Sequence, residues 1–125
     1  MGTRANVYIE TEPETYLGTY CHYDGYPKHM FHTLSGMDND KLLGHILIAM
    51  TQGGFRGIHA ADHEAGCTEY FGDYSDTCLL TDPQTDNSGI EFIYVKKLDG
   101  KVMWRRGYHS NLTTRRGQPQ ATFCS

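Results

Sequence analysis

His22 and Asp24 stand two residues apart in the run Tyr20-Cys21-His22-Tyr23-Asp24-Gly25-Tyr26-Pro27. If a strand continues through them, both side chains point the same way, setting a carboxylate beside an imidazole. Such a neighbour fixes the imidazole tautomer and raises its basicity, which suits a general base or a metal ligand. With one of His59 or His63 added, the set would serve a small metal-dependent hydrolase or nuclease acting on phosphate esters. A structural role competes. Arg4 on a neighbouring strand would pair with Asp24 while His22 bonds a backbone group, because polar side chains at element junctions commonly satisfy the main chain. That role takes precedence, so catalysis by His22 and Asp24 is not the favoured expectation. Arg4, His22, Asp24 and Tyr26 are expected to gather at one spot and form a binding surface.

A second group is His59, Asp62, His63 and Cys67. On a helix, His59, His63 and Cys67 would fall four apart along one stripe and offer zinc or another divalent ion three ligands. Gly57 and Gly66 flank the stretch, however, and a plain surface loop is the simpler expectation. No cofactor is therefore expected. His29 and His32, three apart on a first helix, are expected to face solvent.

A third group is basic and aromatic: Lys96, Lys97, Trp104, Arg105 and Arg106, close to Tyr94 and Tyr108. Cations beside rings suit stacking on bases and pairing with phosphates, or an acidic protein surface. An edge strand that carries charge to resist aggregation is the competing reading. Residues 1–95 hold fourteen acidic and four basic side chains, whereas residues 96–125 hold seven basic and one acidic. That asymmetry points the C-terminal third at an anionic partner. Nucleophilic catalysis has no support, since Gly-x-Ser-x-Gly, a phosphate loop and a dinucleotide fingerprint are all missing from the sequence.

The elements that must hold these groups are readable in outline. Ala5 to Glu10 alternates, with Ala5, Val7 and Ile9 opposite Asn6, Tyr8 and Glu10, which predicts a half-buried strand. Thr11-Glu12-Pro13-Glu14 turns the chain, and Tyr16 to His22 alternates again to close an antiparallel hairpin. Pro27 suits the first turn of a helix that carries Met30, Phe31 and Leu34 and stops near Gly36. Asp38 or Asn39 caps a second helix whose stripe is Leu43, Ile46, Leu47 and Met50. Thr68 to Phe71 and Cys78 to Thr81 read as short strands. Ile90 to Leu98 and Lys101 to Arg106 flank Asp99-Gly100, a hairpin signal. The expected fold is a single α+β domain over residues 1–109 with a polar, basic tail over 110–125. Its order is β-β-α-α-β-β-β, with about five mainly antiparallel strands and both helices on one sheet face. The tyrosine-rich other face would be solvated or would bind a ligand.

Size and composition agree. The 125 residues are 38% hydrophobic and 21% charged, which is a globular balance in a chain long enough to bury a core without disulfides. Cys21, Cys67, Cys78 and Cys124 make no Cys-x-x-Cys pair and read as free thiols. No run approaches the ~20 apolar residues of a membrane span, so a cytoplasmic protein without membrane contact is expected.

Met1-Gly2-Thr3-Arg4 before a first strand, followed by the Tyr20–Pro27 run before a helix, resembles a family of small proteins common in phage and prophage genomes. Members usually carry tryptophan where this chain has Tyr23. The likeness extends more loosely through His59, Tyr70-Phe71-Gly72-Asp73, Glu91 to Val95 and Trp104, with only the first 27 residues specific. It implies phage origin, a setting in the host bacterial cytoplasm, and little about activity. The expectation that follows is an accessory binding protein that counters host defence. It would occupy a defence complex, CRISPR-type or other, or capture a nucleotide or nucleic acid. A metal-dependent hydrolase and a virion or assembly accessory are the alternatives, and a homodimer is open.

Overall fold

The computed structural model of the chain describes residues 3–60, 68–73, 75–86 and 88–107. The expected tail, Tyr108, Asp62, His63 and Cys67 lie outside them. The described elements are β1 (Ala5–Glu12), β2 (Thr15–Cys21), α1 (Pro27–Ser35), α2 (Asn39–Ala49), β3 (Phe55–Gly57), β4 (Glu69–Tyr70), β5 (Phe92–Lys96) and β6 (Val102–Arg106). They build one sheet in the order β4-β3-β2-β1-β5-β6. The α+β class is as expected, with six strands in place of about five. The sheet is mixed, mainly antiparallel as expected but with two parallel pairs that the sequence did not foresee. The β1–β2, β3–β4 and β5–β6 pairs are antiparallel, but β5 lies parallel to β1 and β3 parallel to β2. Each parallel pair is joined by a long excursion, as parallel neighbours require.

One face follows the sequence pattern. Ala5, Val7 and Ile9 stand opposite Cys21, Thr19 and Leu17 in the β1–β2 register. With Tyr94 they meet Met30 and Leu34 of α1 and Leu42 and Ile46 of α2 in the main core. Pro27 opens α1, where its missing N–H costs no hydrogen bond, and Gly36 follows its last residue. The Asp38 side chain accepts from the Lys41 amide at 2.8 Å and caps α2. The buried stripe of α2 is Leu42, Ile46 and Ala49, while Leu47 is 48% exposed. Of the expected stripe, Ile46 is buried and Leu43 and Met50 pack partly buried against the core, so only Leu47 falls outside it, because apolar residues surround much of this helix.

The other face departs from expectation. Ser75 and Thr77 bond Gly53 and Met50 near the end of α2, and Leu79 then bridges Gly18 at the side of β2. Beyond that bridge the chain covers the second face, where Tyr8, Ile90, Ile93 and Val95 form a second core. Cys78 to Thr81, expected as a strand, contributes this single bridge. β1 is thus enclosed on both sides, and its polar Asn6 and Glu10 are buried with partners. Asp86 accepts from Tyr8 Oη at 2.6 Å and from Asn6 Nδ2 at 2.8 Å. Burial raises the pKa of Asp86, yet bonds from Tyr8, Ser88 and Asn6 outweigh it and hold the carboxyl below its usual value. Tyr8 of the tyrosine-rich face is therefore interior, while Tyr16 and Tyr20 pack partly buried against the same cluster.

The last hairpin forms at Asp99-Gly100, but its loop is three residues long in place of the two-residue turn that this pair signals. Lys97 N–H donates to the Lys101 carbonyl, and Gly100 takes φ 90°, which glycine adopts without strain.

Candidate functional site

The Tyr20–Pro27 run joins β2 to α1, and its residues divide by role. Cys21 is fully buried in the main core, and burial pushes its thiol up to about 12. His22 and Tyr23 donate backbone N–H groups to Phe55 and Arg56 of β3, so the run tracks that strand. Gly25 N–H donates to the Thr3 carbonyl at 2.9 Å, and the Tyr94 hydroxyl donates to the Gly25 carbonyl. A Cβ at Gly25 would stand 2.6 Å from the Thr3 oxygen, so only glycine fits this close backbone approach. Asp24, held between these contacts, takes the left-handed φ of 59°.

Arg4, His22 and Asp24 do not form the expected set. Arg4 turns to Glu91, 3.6 Å away, with both side chains substantially exposed. His22 Nδ1 lies 2.6 Å from the Tyr20 hydroxyl, and its ring meets Tyr23 and Phe71 edge-on. Asp24 instead meets His29 and His59. One ligating atom from each of the three lies within 4.8 Å of the others. His29 comes from the first turn of α1 and His59 from the segment after β3. Their rings meet edge to face at 5.3 Å. His29 Nε2 is 2.9 Å from the Ile58 carbonyl oxygen. A carbonyl only accepts, so Nε2 is the donor in this contact. Asp24 and His29 are half-buried and His59 is buried. His29, expected to face solvent, is the member that sequence reasoning left out. Its spacing from Asp24 shows nothing, because the turn at Gly25 brings the two together.

The basic and aromatic group also divides. Side chains two apart share a strand face, so β6 sends Trp104 and Arg106 to the helix side and Arg105 to the other. Arg105 is 1% exposed, and its guanidinium donates to the carbonyls of Pro83, Gln84 and Asp86 at 2.8, 3.3 and 2.6 Å. Lys96 is 2% exposed, and Nζ donates to the Leu34 carbonyl in the last turn of α1 at 2.8 Å. Lys97 lies 3.4 Å from Glu10 and over the Tyr16 ring. Three of the five cations and rings expected to bind a ligand thus serve the fold.

Trp104 remains partly open. It packs on Phe92 at 6.0 Å, and Arg106 spreads over the opposite end of that pair, 5.4 Å from the Phe92 ring. Across from Trp104 stands α1, and between them runs a groove of about 400 Å³ lined by Pro27, Lys28, Phe31, His32, Ser35 and Trp104. The helical positions 28, 31, 32 and 35 form one stripe, a pattern visible in the sequence once β6 is known to lie beside it. Acidic residues are absent from this lining, although the whole chain is acidic at −4. Tyr26, 41% exposed, stands at the start of α1 beside His29.

Comparison with known proteins gives no match: no family model, curated protein or solved structure resembles the chain closely enough to be significant. Among the described residues, no helix is long and apolar enough to cross a membrane.

Proposed function

We propose that this is a binding protein whose ligand is a nucleotide, held in the groove between α1 and β6. The observation that carries the reading is the partly open Trp104 ring facing Lys28 and His32 across a groove of ligand size. Small-molecule sites typically enclose about 300–1,000 Å³ with a few polar groups placed on apolar walls. Trp104 and Phe31 offer a base an aromatic wall, and the Lys28 ammonium offers phosphate oxygens positive charge. A phage origin, proposed from the N-terminal motif alone, would give this binding a wider role, the capture of a nucleotide signal used in host defence. An acidic patch on a defence complex is the competing occupant, and the charge of the groove would draw it too. A hydrolase reading draws on Asp24 meeting His29 and His59, but His22 stands outside that group.

Titration of purified protein with mononucleotides, cyclic dinucleotides and short oligonucleotides tests the proposal. Stacking on an aromatic side chain is worth ~1–3 kcal/mol per base, so Trp104→Ala is expected to weaken binding by about five- to 150-fold. Lys28→Glu should weaken it further at low salt and less at high salt. Binding that ignores both substitutions, or saturates only with a host protein, overturns the nucleotide assignment.

A further inference from the structure

We propose that Asp24, His29 and His59 form a site for one divalent transition-metal ion of the zinc class, separate from the α1–β6 groove. Two imidazoles and one carboxylate suit Zn²⁺ and its first-row neighbours better than Mg²⁺ or Ca²⁺, which take oxygen ligands. With bonds of ~2.0–2.1 Å, a tetrahedral ion spaces its ligands about 3.4 Å apart. The three ligating atoms already lie within 4.8 Å of one another, so small side-chain rotations close the set.

Each ligand comes from a different place in the chain, and each is braced. Asp24 sits at a left-handed residue between the Tyr23–Arg56 and Gly25–Thr3 backbone bonds. His29 Nε2 lies 2.9 Å from the Ile58 carbonyl, a bond that holds the ring in place as outer-shell bonds hold metal-binding histidines. His59 packs against Gly57, where a Cβ would stand 3.0 Å from Nε2, and its backbone N–H donates to Thr68 Oγ1 at 3.2 Å. Because Asp24 and His29 are half-buried, solvent reaches the cluster. Three protein ligands plus one open position is the pattern of zinc sites that hold a water or a ligand anion.

The test uses the full chain, stripped with a chelator and titrated with Zn²⁺ and separately with Co²⁺. Expected are one ion per chain, visible Co²⁺ absorption of a low-coordinate nitrogen–oxygen site, and a rise in Tm with Zn²⁺. Asp24→Asn and His29→Gln should each lower Zn²⁺ affinity by at least about tenfold and weaken the Co²⁺ bands. His22→Ala and His32→Ala should leave both unchanged. His59→Gln is judged only if its circular dichroism matches the parent, and the two half-exposed positions decide the matter without it. Affinity weaker than ~1 mM for both ions overturns the site. So does Zn²⁺ binding that survives the Asp24→Asn/His29→Gln double substitution undiminished, since the ligands would then lie elsewhere.

Discussion

At the scale of single residues, neighbouring cations on one strand have opposite fates. Arg105 and Arg106 differ by one position, and strand alternation sends one to the interior and the other to the rim. Arg105→Met should destabilise the fold by about 3 kcal/mol, because it strips buried carbonyls of Pro83 and Asp86 of their charged donor and leaves Asp86 beside an apolar chain. Arg106→Met, at an exposed position, should change stability by less than about 0.5 kcal/mol. Chemical denaturation of the two variants measures both. A histidine gives a second residue-level check. Burial, aided by Lys41, holds His45 below the ordinary histidine value, beside the Tyr70 hydroxyl at 2.7 Å. The neutral form is therefore favoured in the fold. The contribution is full above the unfolded value of about 6.5 and is lost as pH falls through the lower folded value. Parent stability should drop between about pH 7 and 5 more steeply than that of His45→Gln, and equal slopes would contradict the assignment. Which cations turn inward was within reach of the sequence for Arg105, given its alternation with Trp104. For Lys96 it was not, since nothing in the chain announces that its ammonium meets the end of α1.

Among elements, the first hairpin was legible because alternation and Pro13 agree on it. Its register places Gly18 opposite Tyr8, where a Cβ would stand 2.6 Å from the Tyr8 ring. Gly18→Ala should therefore cost about 1–3 kcal/mol by overpacking, readable as a lower Tm, whereas Gly44→Ala, with open space around it, should be neutral or stabilising. Both helices were legible from Pro27, Gly36 and Asp38. β3 was not, being three residues long with its hydrogen bonds supplied by distant partners. The Asp24–His29–His59 cluster was hidden for the same reason, as it depends on how β3 lies beside the Tyr20–Pro27 run.

For the whole molecule, the unexpected feature is that both sheet faces are covered, one by helices and the other by residues leading to Ile90. Aromatic and cationic groups near solvent stand around His22, with Tyr23, Phe71 and Arg56, and also at the α1–β6 groove, with Trp104 and Lys28. The charge asymmetry of the sequence had pointed to that end of the chain, but to Lys96 and Arg105 as much as to Trp104. Periodicity could not foresee the covering segment, which has almost no regular structure and is held by Leu79, Asp86 and Arg105. The groove's role as a ligand site is open to one direct measurement, made possible because Trp104 is the sole tryptophan. In a ¹H–¹⁵N correlation spectrum the single indole cross-peak, together with the Lys28 and His32 amides, should move progressively as a nucleotide is added. An indole peak that stays fixed at saturating nucleotide, while resonances away from α1 and β6 shift, would contradict binding in this groove.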